Sequence, residues 1–244
     1  MSAIDAIGRK WRDAVRVSLA FALPHGCLLC ASARSDALVC AECAAALPRN
    51  HTACEVCSLP LTTGRRCGRC LARPPPFERT HAPFLYAFPV DRLVQALKYQ
   101  GTLACAAWFA DAIVDALQGA PPSADLMVPM PLSAQRQRER GFNQSLEIAR
   151  ALSCRTGIPL ASGIARRVRD TRPQADLPWD ERGRNVRDAF ACVGCVAGQR
   201  VVVVDDVMTT GASLDELART LRRAGAIAVE NWIVARTPAP GSAN

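Results

Sequence analysis

Apolar residues fill every position from Val201 to Val204 and then give way to two adjacent carboxylates in the stretch VVVVDDVMTTGAS, residues 201–213. A run that is apolar at every position predicts a strand covered on both faces, as in the interior of a parallel sheet. Around it the chain alternates between extended and helical patterns. An extended stretch near FLYAF precedes helical periods over 90–99 and 102–118, the strand DLMVPM, a helix near 144–156 and a strand at IPLASG. A polar loop region, the strand RVVVVDD, a helix at 213–224 and a last strand AVENWIVAR complete the series. Strands alternating with helices predict an α/β fold, a parallel sheet flanked by helices.

The ends of the chain carry different patterns. Ile4, Ile7, Trp11, Val15 and Leu19 recur at helical spacing with Arg and Asp opposite, which predicts an amphipathic helix over 1–24 packed on the body of the protein. That stretch lacks the uninterrupted apolar core and small-residue cleavage site of a signal peptide, so a cytoplasmic location is expected. No apolar run is long enough for a transmembrane segment. The stretch RPPPFERTHAP, 73–83, reads as a linker, because its prolines fix φ and remove donors. The organisation expected is a Cys-rich module over 25–72, this linker, a larger domain over 84–237 and a disordered tail over 238–244.

Composition bounds the picture without changing it. At 244 residues, half of them apolar, the chain suffices for one or two domains with ordinary cores. The formal charge is +8, and 28 of the 30 basic residues are Arg, a bias that also follows from genome composition. Distribution says more: residues 133–190 hold 12 Arg and no Lys against 7 acids. Such a segment suits phosphate-bearing partners, small or polymeric, or else solvates the surface.

Eight of the 12 cysteines form four CxxC pairs, CLLC, CAEC, CEVC and CGRC, with gaps of 9, 10 and 9 residues between pairs. A two-residue spacer turns both thiolates toward one ion, and two pairs complete the tetrahedral shell of a structural zinc site. Cys27, Cys30, Cys40, Cys43, Cys54, Cys57, Cys67 and Cys70 therefore predict two zinc ions. Sequential and interleaved pairings both satisfy the count. A disulfide framework belongs to oxidising compartments, for which no export signal is present. Loaded with two Zn²⁺, the eight thiolates lower the formal charge from +8 to +4. A fifth pair, Cys192 and Cys195, reads as ordinary turn residues, and Cys105 and Cys154 as core. His25 and His51 lie near the cluster but are not needed as ligands.

The chemistry expected of VVVVDDVMTTGAS follows from its place. In parallel sheets, ligands bind beyond the carboxyl ends of strands. Asp205 and Asp206 would accept hydrogen bonds from sugar hydroxyls or order a Mg²⁺ shell. Thr209, Thr210, Gly211, Ala212 and Ser213 would wrap an anion with hydroxyls, backbone N–H groups and the positive end of the following helix.

This segment resembles the 5-phosphoribosyl 1-pyrophosphate (PRPP) motif of type I phosphoribosyltransferases. VPMPLSAQRQRERGFNQS at 128–145, TRPQADLPWDERGRNVRDAF at 171–190, ALKYQG at 96–101 and the CxxC-rich start are together similar to the ComF family, associated with DNA uptake in natural competence. The resemblance implies a type I phosphoribosyltransferase-like sheet with a double zinc ribbon-like module at its N-terminal side, binding PRPP with Mg²⁺. It gives Asp205 and Asp206 the ribose hydroxyls, and Thr209 to Ser213 the 5′-phosphate. It gives Arg136, Arg138 and Arg140 the pyrophosphate loop, their alternate spacing leaving at least one in solvent. RGFNQ, with Arg140, Gly141, Asn143 and Gln144, would order that loop. Gln174, Arg182 and Asn185 fall in a hood over the reaction centre, 166–187. Neither matched segment shows a general base, so no catalytic residue is assigned. Implied partners are single-stranded DNA and DNA-uptake or helicase proteins. Two functions stay open: transfer of a phosphoribosyl group with pyrophosphate release, or a non-catalytic single-strand-binding and bridging accessory that uses PRPP as an allosteric ligand. A base-salvage enzyme is less favoured than either.

Overall fold

Val201 to Val204 are buried on both faces of their strand, at 1 % exposure or less, because neighbours hydrogen-bond on both sides of it and helices cover the sheet. The computed structural model describes residues 26–32, 37–117, 124–169 and 186–239. The expected N-terminal helix over 1–24, the hood residues Gln174, Arg182 and Asn185, and residues 240–244 of the expected tail lie outside the described residues.

Contacts divide the chain into Met1–Ala46 and Leu47–Asn244. The division falls between the two halves of the Cys-rich stretch. In the first unit a short helix, α1 (Ala41–Ala45), follows Cys40.

The larger unit opens with the second Cys-rich half, including helix α2 (Gly68–Ala72). It continues through β1 (Arg79–His81), β2 (Phe84–Leu85), α3 (Val90–Gln100), α4 (Ala104–Ala116), β3 (Leu126–Pro129), α5 (Ala134–Arg140) and α6 (Gln144–Thr156). Then come β4 (Ala165–Arg167), β5 (Phe190–Cys192), β6 (Arg200–Met208), α7 (Ala212–Arg223) and β7 (Ala228–Arg236). The main sheet runs β1-β7-β6-β3, with β2 also on β7, and every pairing is parallel. Parallel neighbours need crossovers, and α7 supplies the one between β6 and β7. Its Leu214, Leu217, Ala218 and Leu221 are buried at the spacing of one helical face.

Two segments depart from the pattern expected of them. Arg79–His81, inside the Pro-rich stretch, pairs with Glu230–Trp232 of β7, since these residues lie between Pro76 and Pro83 and keep their own backbone donors. IPLASG contributes one bridge, Leu160 to Met127, flanked by hydrogen bonds from Met127 N–H to the Pro159 carbonyl and from Ala161 N–H to the Met127 carbonyl, each 2.8 Å. A separate antiparallel pair, β4 with β5, brackets in sequence the stretch where the hood is expected. No helix among the described residues is long and apolar enough to cross a membrane.

Candidate functional site

Two cysteine clusters form, each from consecutive CxxC pairs. The sulfurs of Cys27, Cys30, Cys40 and Cys43 lie within 4.8 Å of one another, as do those of Cys54, Cys57, Cys67 and Cys70. A ZnS₄ tetrahedron with bonds of about 2.3 Å has edges of about 3.8 Å. The Sγ–Sγ distances of 3.8 Å for Cys30–Cys40 and 3.6 Å for Cys57–Cys67 match it. Each cluster also directs a backbone N–H onto a sulfur across the ion position: Cys40 N–H to Cys27 Sγ and Cys67 N–H to Cys54 Sγ, both 3.3 Å. Such bonds favour thiolate. Pairing is thus sequential, and the two Cys₄ sites fit two structural zinc ions. Cys192 and Cys195 join no such cluster among the described residues. Cys105 is buried and Cys154 exposed.

The second cluster is part of the larger unit's core. Cys54, Val56, Cys57, Cys67 and Cys70 belong to one buried apolar cluster with Val201 and Val203 of β6, Leu217 of α7 and Ile233 of β7.

Beyond the carboxyl end of β6 opens a cleft of about 850 Å³. Asp205, Asp206, Thr209, Gly211 and Ser213 line it, with Arg136, Arg140 and Gln144 from α5 and α6, Lys98 and Tyr99 from α3, Tyr86, and Arg167 from β4. Both acids are engaged. Asp205 accepts from the Ser145 hydroxyl at 2.9 Å, and Asp206 pairs with the Lys98 ammonium at 2.8 Å. Burial, then the adjacent Asp206 charge, pushes the Asp205 carboxyl up to about 7. Burial alone would lower the Lys98 ammonium, but the Asp206 charge and hydrogen bond outweigh it and raise it. A carboxylate whose ionisation costs this much is relieved by an arriving cation or by hydroxyl donors. Oxygen donors so placed fit a Mg²⁺ carried by a phosphate ligand.

The loop after β6 turns at Gly211, whose φ of 84° is left-handed and whose carbonyl starts α7. Thr210 does not line the cleft. It is buried, and its hydroxyl accepts from Ala212 N–H at 3.3 Å. Ala212 likewise is not among the lining residues.

The expected arginine loop is largely helix. The Ser133 hydroxyl caps α5 by accepting from Arg136 N–H, and Gly141 closes it. Helical spacing therefore sets the directions: Arg136 and Arg140, four apart, line the cleft, whereas Arg138 is exposed. Arg140 also lies 5.3 Å over the Tyr99 ring and donates to Gln144 Oε1 at 3.0 Å. Asn143 orders the turn, donating to the Met130 carbonyl and capping α6.

Lys98, Tyr86, Ser145 and Arg167 were not singled out by their residue patterns. Lys98 lies in ALKYQG, Ser145 ends the stretch VPMPLSAQRQRERGFNQS, and Arg167 falls at the start of the expected hood. Lys98 and Lys10 are the only lysines of the chain.

Comparison with known proteins finds relatives for both parts of the chain. Family models for a double zinc ribbon domain and a phosphoribosyl transferase domain match residues 18–71 and 145–241. The chain is 35 % identical over 223 residues to the DNA utilization protein YhgH of Salmonella typhimurium, covering 88 % of this chain and 98 % of that protein. It is 35 % identical over 205 residues to YhgH of Escherichia coli K12, covering 82 % and 90 %. It is 31 % identical over 180 residues to competence protein F of Haemophilus influenzae, covering 70 % and 79 %.

Proposed function

The chain belongs to the ComF family, that of competence protein F and the DNA utilization protein YhgH, and on that premise we propose that its cleft binds PRPP with Mg²⁺ in the cytoplasmic handling of single-stranded DNA. One observation carries this reading: three chemistries matching three parts of one ligand converge in a single cleft. Asp205 and Asp206 offer acceptors for ribose hydroxyls. Thr209, Gly211 and Ser213, at the N-terminal end of the 12-residue α7, suit a 5′-phosphate. Arg136, Arg140 and Lys98 bring the cations a pyrophosphate needs. Magnesium, when bound, would neutralise pyrophosphate charge and make it a better leaving group.

Transfer, in this reading, breaks the bond between the anomeric carbon and pyrophosphate as an acceptor nucleophile bonds to that carbon. The chain contributes positioning and charge stabilisation. The second reading, PRPP as an allosteric ligand of a single-strand-binding protein without transfer, is favoured by Arg138. That cation is exposed, outside the cleft, and suits polymer phosphates.

The test incubates zinc-loaded protein with Mg²⁺ and PRPP, with and without a single-stranded oligonucleotide, following pyrophosphate release and, by calorimetry, binding. Release supports transfer; binding without release supports the allosteric role. Absence of binding at millimolar PRPP refutes both.

A further inference from the structure

Two arginines hold the loop after β6 from behind, and both lead to the second cysteine cluster. Arg236, at the end of β7, is 2 % exposed. Its Nε donates to the carbonyl of the ligand residue Cys57 at 3.0 Å. Its Nη1 donates to the carbonyls of Met208 at 2.9 Å, Thr237 at 2.7 Å and Thr209. Arg69, on α2 between the ligands Cys67 and Cys70, donates through Nη1 to the Thr210 carbonyl. Its Nη2 lies 3.5 Å from the Asp215 carboxylate in the first turn of α7. The loop is packed closely on this support: a Cβ at Gly211 would fall 2.5 Å from Met208 Cε and 3.4 Å from Arg69 Nη2.

Peptide planarity turns this support into an orientation. In a trans peptide the C=O and the following N–H point in opposite directions. Drawing the carbonyls of Met208, Thr209 and Thr210 back onto the two guanidinium groups therefore turns the N–H groups of Thr209, Thr210 and Gly211 the other way. A loop that aims successive N–H groups in concert is an anion cradle. Neither arginine needs to touch the anion.

We infer that Arg69 and Arg236 are positioning residues through which the second Cys₄ site sets the loop's affinity for a sugar phosphate. The inference rests on the reading that this loop holds the 5′-phosphate. Zinc at Cys54, Cys57, Cys67 and Cys70 fixes the Cys57 carbonyl and the start of α2, and these fix the two guanidinium groups. Coupling of binding free energies is reciprocal, so a sugar phosphate in the loop must in turn strengthen retention of that zinc.

The experiment uses the full zinc-loaded chain, with ribose 5-phosphate and inorganic pyrophosphate as separate probes in calorimetry and a chromophoric chelator to time zinc release. In the wild type, saturating ribose 5-phosphate is expected to slow release of one of the two zinc ions. Arg69→Gln alters a side chain 44 % exposed, compatible with a folded chain that keeps both ions. It is expected to weaken ribose 5-phosphate about tenfold, within the usual range of such couplings, to leave pyrophosphate affinity unchanged, and to reduce the slowing at matched ligand occupancy, Arg236 still joining the Cys57 carbonyl to the loop. Arg236→Lys keeps the buried charge but loses the fork that reaches several carbonyls, and is expected to act in the same direction. Equal weakening of both probes, or slowing undiminished in Arg69→Gln, overturns the inference while leaving the phosphate site intact. No heat from ribose 5-phosphate with the wild type overturns the phosphate reading itself, and the coupling with it, before any variant is made.

Discussion

Asp205 carries the clearest pH signature of any residue in the cleft. Its carboxyl is raised to about 7, from an ordinary value of 3.8, chiefly by burial. The native chain therefore holds a proton that the unfolded chain releases. The resulting contribution to stability is full below about pH 4 and is lost as pH rises through 7. Mg²⁺ and ribose hydroxyls select the ionised form, so affinity runs the other way. The Kd for Mg²⁺-PRPP is expected to fall as pH rises from about 6 to about 8, and Asp205→Asn is expected to flatten that dependence. Calorimetry across the range in buffers of matched ionic strength reads it; an identical slope in the variant would assign the titration elsewhere. The acid pair was legible in the sequence because a strand end fixes its place. Lys98 was not, since more than 100 residues separate it from Asp206 and only the packing of α3 beside the end of β6 brings the charges to 2.8 Å. The Thr210 hydroxyl accepts from Ala212 N–H, as a hydroxyl in a turn serves its own backbone as readily as a ligand.

At the level of elements, α5 divides the arginines by duty. Arg136 and Arg140 share the face toward the cleft, and Arg138 is in solvent. Arg138→Gln is expected to reduce the salt dependence of single-stranded DNA binding by about 0.7 in the slope of log K against log salt, the contribution of one phosphate contact, with PRPP affinity retained. Arg136→Gln is expected to do the reverse. Filter binding over a salt series and calorimetry of PRPP check the pair; a slope insensitive to Arg138 would make it a solvating residue only. Alternate spacing in QRQRER shows that the three cannot share one direction, but the directions come from helix, set by the Ser133 cap and by Gly141. The sheet order was equally hidden. Apolar runs identified β3, β6 and β7 as buried strands, while β1 and β2, of three and two residues, depend on β7 to exist as strands.

For the molecule as a whole, metal and core are one problem. Metal analysis is expected to return two zinc ions per chain, and a value of one or none would remove the two-site assignment. Because the second cluster shares its buried neighbours with β6, β7 and α7, loss of that ion is expected to lower the melting temperature of the larger unit as well as to disorder a ribbon. Calorimetric scans of zinc-loaded and chelated protein measure this; an unchanged main transition would show the core to be independent of the metal. The four CxxC pairs made the metal legible at once, but spacing alone left the pairing of the ligands open. It also gave no sign that the two clusters fall in different units, since chain contacts divide at Ala46 and Leu47 while the cysteine spacing runs through that point almost unbroken.

That division bears on how such a chain can be cut and recombined. The ribbon pair spans 18–71 as one stretch of sequence, which invites its use as a cassette in chimeras. Excising it whole would strip Cys54, Val56, Cys57, Cys67 and Cys70 from a core they share with the central sheet, together with the Arg69 support of the loop at Thr210. The seam that leaves both sides with their own neighbours lies inside the cassette, between the ribbons. A shuffled gene joined there exchanges one ribbon and keeps the other, so the second ribbon should travel with the parallel sheet in any viable hybrid.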